Sequence, residues 1–235
     1  MDDEAVLWDS DLEEFLSQAV QQPSSQAACD GRIHLLLGDS IARDAPVCVS
    51  PPDLLLRLEK GGHTWARLVD IIDENIDMWR RAASDYNRPL GRAMVWMTGN
   101  DVYPRHGSRV TGLDIEQLRR NATDVVRALR AVAQEVVILG PLPRFKFDIN
   151  KTWTQTPAFH AERCLKHSFC DDAGVSVENL GRALTTTRGK CKALAPSVGS
   201  NFAPDGIHLS DRGYEKVLNK IPSWLTWVSS TDEDE

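Results

Sequence analysis

No apolar run in this 235-residue sequence approaches the eighteen residues a membrane-spanning helix requires; Val136 to Leu139 is among the longest. No transmembrane segment is therefore expected. The first residues are Met1, Asp2, Asp3 and Glu4, without the basic start and apolar centre of a signal peptide, so an intracellular location, cytoplasmic or nuclear, is expected. The five cysteines, Cys29, Cys48, Cys164, Cys170 and Cys191, are an odd number and include no CxxC pair, which argues against a disulfide framework and a zinc ribbon. In a compartment that keeps thiols reduced, the sequons at Asn121 and Asn150 are expected to stay unmodified.

The first thirty residues contain no Lys or Arg but eight acids, and residues 229–235 contain four acids and no base. Removing those twelve acids from the total of 34 leaves 22 against 27 bases, so the body between the two tails carries +5. A body of that charge permits weak contact with nucleic acid or anionic lipid, but it lacks the dense basic stripe of a dedicated nucleic-acid binder. Within the leading tail, Leu7, Trp8, Leu12, Phe15 and Leu16 recur near one helical turn among acids, the spacing of an amphipathic helix, although poor order is the commoner fate of this composition. Residues 21–28 read as a linker. The expected organisation is an acidic tail over 1–30, a folded domain over 31–228 and an acidic tail over 229–235. A content of 42% hydrophobic and 26% charged residues suits one globular domain with a core.

Within the body the hydrophobic period changes repeatedly. Ile33 to Leu37, Leu54 to Leu58, Ala93 to Met97, Val136 to Leu139 and Val175 to Val177 are short apolar runs bounded by turn residues, the pattern of buried parallel strands. Between them, apolar residues spaced by three and four predict helices over Thr64–Ala83, Asp114–Ala133, Pro157–Cys170 and Asp211–Asn219. Alternating strands and helices predict a three-layer α/β/α sandwich around a mainly parallel sheet of about five strands. In such sheets the working groups gather in loops at the carboxyl ends of the strands.

Four segments at or near those ends carry chemistry: Gly38-Asp39-Ser40-Ile41, Gly61-Gly62-His63-Thr64, Thr98-Gly99-Asn100-Asp101 and Pro204-Asp205-Gly206-Ile207-His208. Each alone is ordinary turn or cap chemistry. Together they fill the roles of acyl transfer through serine. Ser40 supplies a nucleophile, His208 a base and Asp205 an orienter of the imidazole. The backbone N–H groups of Ser40 and Gly62, with the Asn100 side-chain amide, supply donors for an oxyanion. In that role His208 acts unprotonated, so turnover should rise with pH as the imidazole gives up its proton.

With these residues the chain resembles the SGNH (GDSL-like) hydrolases, whose four named residues match Ser40, Gly62, Asn100 and His208 in order. The resemblance spans about Ile33 to Val217. It implies a flavodoxin-like sheet and an esterase, lipase or deacetylase chemistry with no cofactor and no metal. Ile41 stands where leucine is commoner after the serine, and Gly62 is chosen over Gly61 because Gly62-x-Thr64 leads into a helix. More narrowly, Gly38 to Ile41, Gly140-Pro141-Leu142-Pro143-Arg144 and Asp205 to Ser210 look like the esterase domains encoded in the first open reading frame of some LINE-type retrotransposons. The implied substrate is a small or medium carboxylic ester. The alternative is a non-catalytic binding module on the same scaffold that uses the acidic tail or the basic face.

Arg144 and Phe202 are substrate-pocket candidates from their places on strand-end loops. His160, Cys164, His167 and Cys170 share a helical face, but one helix seldom wraps a tetrahedral metal site, and a core role is preferred. Gly189-Lys190 is not a phosphate loop, because Leu184 replaces the upstream glycine and Cys191 the following Ser or Thr. Acyl group, alcohol and oligomeric state are not encoded in any motif.

Overall fold

Six consecutive buried residues, Ile33–Gly38, form the first strand of the computed structural model, which describes residues 31–103 and 113–227. A run buried at every position suits a strand covered on both faces. In chain order the elements are β1 (Ile33–Gly38), α1 (Ser40–Arg43), β2 (Val47–Val49), β3 (Leu54–Glu59), α2 (Trp65–Asp85), β4 (Leu90–Trp96), α3 (Ile115–Arg130) and β5 (Glu135–Leu139). After these come α4 (Phe145–Asp148), α5 (Pro157–Ser168), β6 (Val175–Glu178), β7 (Thr186–Arg188), β8 (Cys191–Ala193), α6 (Asp211–Leu218) and β9 (Leu225–Trp227). The tail helix expected around Leu7 to Leu16, the linker and the acidic C-terminal tail lie outside the described residues.

Five strands, in the order β3-β1-β4-β5-β6, make one wholly parallel sheet, the flavodoxin-like arrangement in which the direction of winding reverses between β1 and β4. Alternation along the strands divides the core in two. Leu35, Leu37, Ala93, Val95, Val136 and Ile138 face one layer, built from α2, α3 and α5 through Trp65, Leu68, Ile72, Leu118, Val125 and Leu165. Leu36, Met94, Trp96, Val137 and Leu139 face the other, where α1, α6 and the irregular segments around Leu184 and Val198 supply Ile41, Tyr214, Val217 and Leu218. The structure is thus the expected three-layer sandwich. No helix among the described residues is long and apolar enough to cross a membrane.

The helices start where their caps dictate. Thr64 accepts the Arg67 N–H to open α2, Asp114 that of Gln117 to open α3, Thr156 that of Phe159 to open α5 and Ser210 that of Gly213 to open α6. The third core strand begins at Leu90, earlier than its apolar run suggests. Gly91 and Arg92 hide this start, yet both are needed against the buried His34: a methyl at Gly91 would lie 2.9 Å from the imidazole, and the Arg92 N–H donates to His34 Nδ1 at 3.1 Å. The register between β1 and β4 shifts at this point, and the His34 ring takes the N–H that the irregular ladder leaves over. Gly189-Lys190, set aside as a phosphate loop, forms the two-residue turn of the β7–β8 hairpin, with Gly189 at φ 59°.

Glu162 is among the buried side chains that sit against this economy. Glu162 on α5 is 5% exposed, its Oε2 has no hydrogen-bond partner among the described residues, and burial pushes its carboxyl up to about 7 despite the opposing pull of Lys166 and Arg182. The folded state therefore holds this proton more tightly than the unfolded chain. Stability is full below the ordinary carboxyl range and is lost as pH rises through about 7, by up to about 3 kcal/mol. Glu162→Gln should accordingly melt higher than the parent at pH 8.5 and gain nothing at pH 5. Equal melting temperatures at both values would contradict a raised Glu162.

Candidate active site

The chain turns from β1 into α1 within two residues, and Gly38 makes this possible. A methyl at that position would lie 2.2 Å from Ala42 Cβ and 2.8 Å from the Trp96 carbonyl. Asp39 follows, 1% exposed, and its carboxylate is fully used: Oδ1 accepts the Ile41 N–H at 3.1 Å, and Oδ2 accepts the Thr98 N–H at 2.9 Å and the Thr98 hydroxyl at 2.6 Å. It thereby caps α1 and ties the carboxyl end of β1 to that of β4, across the point where the sheet winding reverses.

Ser40, the next residue, is held from three further directions. The Arg57 guanidinium donates to the carbonyls of Ala42, Arg43 and Ala45 at 2.9, 3.1 and 3.2 Å, satisfying groups that so short a helix leaves exposed at its carboxyl end. Tyr214 of α6 donates its hydroxyl proton to the Ile41 carbonyl at 2.9 Å. From the β3 side, a methyl at Gly61 would stand 3.9 Å from Ser40 Cβ, so the Gly61-Gly62 turn abuts the hydroxyl-bearing residue.

Ser40 Oγ lies 2.9 Å from His208 Nε2, and His208 Nδ1 lies 2.6 Å from Asp205 Oδ2. Asp205 also accepts the backbone N–H groups of Ile207 and His208, at 2.8 and 3.0 Å. Partial burial alone would raise the Asp205 carboxyl, but the His208 ring and these two backbone donors outweigh it and hold it below its ordinary value. An ionised Asp205 can only accept, so Nδ1 carries the imidazole proton and Nε2 presents a lone pair to the Ser40 hydroxyl. The loop is shaped locally. The Gly206 N–H returns to the Ala203 carbonyl at 2.9 Å, closing a Pro204-Asp205 turn, and Gly206 stands at φ 66°. The Gly206 carbonyl in turn accepts the Lys146 N–H of α4 at 3.0 Å.

The other two loops complete the site. Lys60 to His63 closes a turn through the His63 N–H and the Lys60 carbonyl at 3.2 Å, with Gly62 at φ 85°, a conformation that explains glycine there. His63 Nδ1 donates to the Gly38 carbonyl at 3.0 Å, and burial pushes this imidazole down, keeping it neutral. Asn100 donates from its side-chain nitrogen to the His63 carbonyl at 2.9 Å, and Asp101 accepts the Trp65 N–H that opens α2 at 3.0 Å. Ser40, Asn100, Asp205, His208 and the Gly62 turn thus stand at one end of the sheet.

Of the two pocket candidates, Arg144 is 8% exposed with a guanidinium nitrogen 3.1 Å from Asn100 Oδ1. Phe202 is 6% exposed, stacked on Phe145 at 5.5 Å, and bridged to Leu209 across the Asp-His loop. Asp39, Arg57, His63 and Thr98 were not singled out from sequence. Asp39, His63 and Thr98 each lie within one of the four motif segments, the signal that could have found them; Arg57 is one arginine within an apolar strand.

No family model and no curated protein matches this sequence. Among solved structures the chain resembles a catalytic mutant of Axe2, an acetylxylan esterase from Geobacillus stearothermophilus, with TM-score 0.56 and 14% identity over 85% of this chain and 97% of that one. It also resembles LAE5, an alpha/beta hydrolase from the metagenome of Lake Arreo, with TM-score 0.53 and 12% identity over 80% of this chain and 92% of the other. A Bacteroides fragilis protein described as an acylhydrolase gives TM-score 0.52 and 14% identity over 90% and 93%. At these identities the likeness establishes the shared fold.

The Asp39 bridge has a measurable value. Asp39→Ala strips three donors of their partner inside the protein, and a hydrogen bond to a charged group contributes about 1.5–3 kcal/mol. The variant should lose at least about 3 kcal/mol in urea unfolding, with an unchanged m-value. A loss below about 1 kcal/mol would remove Asp39 from this role.

Proposed function

We propose that this protein is a serine hydrolase of the SGNH type that cleaves small or medium carboxylic esters through an acyl-enzyme on Ser40, its working domain spanning residues 31–228. The observation that carries this reading is the unbroken line Ser40 Oγ, His208 Nε2, His208 Nδ1, Asp205 Oδ2, with links of 2.9 and 2.6 Å. Its place at the winding reversal supports the reading, as does the description of the fold neighbours as an acetylxylan esterase and an acylhydrolase.

In acylation, Ser40 Oγ attacks the ester carbonyl carbon while its proton passes to His208 Nε2. The carbonyl π electrons move to oxygen, and the N–H groups of Ser40 and Gly62 and the second amide hydrogen of Asn100 receive that charge. The tetrahedral intermediate collapses, the C–O bond to the alcohol breaks, and His208 returns the proton to the departing oxygen. Deacylation repeats the sequence with water in place of Ser40. Asp205 stabilises the imidazolium formed in each half. No cofactor enters any step.

Hydrolysis of p-nitrophenyl acetate tests the scheme. Ser40→Ala and His208→Ala should each abolish turnover above background. Asn100→Ala should lower kcat by about 10² to 10³, the usual effect of losing one oxyanion donor. Asp205→Asn should cost less than loss of the nucleophile. A fluorophosphonate probe should label Ser40 of the parent and leave Ser40→Ala unlabelled. Equal turnover by parent and Ser40→Ala would end this reading, and an unlabelled parent would favour a binding module on a hydrolase scaffold.

A further inference from the structure

Resting on the hydrolase reading, we infer that Arg144 is a positioning residue for the oxyanion donor Asn100 and acts through its side-chain amide rather than by binding substrate. Asn100 Oδ1 accepts from Arg144 Nη2 at 3.1 Å, while Asn100 Nδ2 donates to the His63 carbonyl at 2.9 Å. Each contact alone selects one of the two amide orientations, and both select the same one. In the flipped state the amide NH₂ would face a cation and its oxygen would face a carbonyl, so both contacts would turn repulsive. An amide nitrogen carries two hydrogens; with one spent on His63, the fixed orientation leaves the other to donate.

The guanidinium is itself built into the protein. It lies 5.2 Å above the Tyr103 ring, against Gly99, where a methyl would come within 2.9 Å of Arg144 Nε and 3.1 Å of Tyr103. The backbone is pinned too: the Arg144 N–H donates to Asp148 at 3.2 Å and to the Tyr103 hydroxyl at 3.3 Å, and Tyr103 donates a short hydrogen bond to Asp148. Asp148 is fully buried and also receives the Lys151 ammonium at 3.1 Å. A guanidinium with 8% residue exposure, covered by an aromatic ring and directed at the Asn100 oxygen, is poorly placed to meet a substrate group. It is well placed to withdraw electron density from the amide and strengthen the remaining N–H as a donor.

The chain of contacts runs from one strand end to the next: Gly38 carbonyl to His63 ring, His63 carbonyl to Asn100 nitrogen, Asn100 oxygen to Arg144. Arg144 closes it at the β5 end. The Gly140-to-Arg144 turn therefore acts on the oxyanion donor, and Gly99 is glycine because the guanidinium occupies the space of its side chain.

A double-mutant cycle on p-nitrophenyl acetate separates this role from pocket binding. Arg144→Gln should lower kcat about 10- to 100-fold with KM changed less than about twofold, because the lost interaction belongs to the transition state. In the Asn100→Ala background the same change should cost less than about threefold. Arg144→Lys, which keeps a cation and a donor, should recover part of the loss, and the same cycle run with Lys serves if Arg144→Gln does not fold. The kcat loss should also be uniform across acetyl, butyryl and succinyl esters. Additive losses in the cycle, or a KM rise confined to the anionic succinyl ester, would overturn the inference while the hydrolase reading stood. A parent that neither turns over ester nor accepts fluorophosphonate would overturn the hydrolase reading, and this inference with it.

Discussion

The carboxylate of Asp39 is the constraint from which the site is assembled. Two strands that are neighbours in the sheet but belong to opposite winding directions end side by side, and their loops diverge. Asp39 spans that divergence with one oxygen on the Ile41 N–H and the other on Thr98. A buried carboxylate is costly unless its lone pairs are satisfied, so the Ile41 and Thr98 donors are fixed in position by the same energy that makes Asp39 tolerable. Ser40 lies next to Asp39 in the chain and Asn100 two residues beyond Thr98. Their separation is consequently set by a hydrogen-bonded bridge rather than by the conformations of two independent loops.

The charges around this bridge are distributed unevenly. Beside Asn100, Arg144 is buried against Tyr103 and Gly99, where a low effective dielectric strengthens its influence on nearby dipoles. On the loop after β8, Asp205 and His208 expose 44% and 38% of their side chains, and water screens their attraction. Geometry, more than burial, must hold that pair: Asp205 gains its orientation from two backbone N–H groups of its own loop. The result is a closely packed end at Arg144 and a more exposed end at Asp205 and His208.

Much of this fold can be read in the chain because both faces of the sheet are covered. Continuous apolar runs mark β1 and β5, and helix caps at Thr64, Asp114 and Ser210 coincide with the expected starts. The antiparallel β2–β9 pair escapes the same reading, since three residues are too few to show a period and the partners lie 178 positions apart. The start of β4 at Leu90 escapes it as well, because Gly91 and Arg92 answer to the His34 ring and not to the strand pattern. Motif order brings out Ser40, Asn100, Asp205 and His208. The contacts that aim them, from Arg57 to α1 and from His63 to Asn100, use main-chain carbonyls, which carry no residue identity and leave no trace in a sequence.

The same distinction accounts for a shared fold at 12–14% identity without any matching family model. A sandwich core asks only for apolar volume of suitable size on alternating positions, a requirement that many sequences meet. The site asks for specific side chains at a handful of strand ends, and much of their support comes from backbone N–H and carbonyl groups that any residue supplies. What must be specific is then confined to short separated segments: Gly38 to Ile41, the turn at Gly62, Thr98 to Asp101, and Asp205 to His208. The intervening helices are free to differ so long as their apolar stripes meet the sheet. Within this chain the specific requirement falls at the reversal point, where Asp39 and Thr98 hold two strand ends together, and relaxes wherever the protein needs only to be filled.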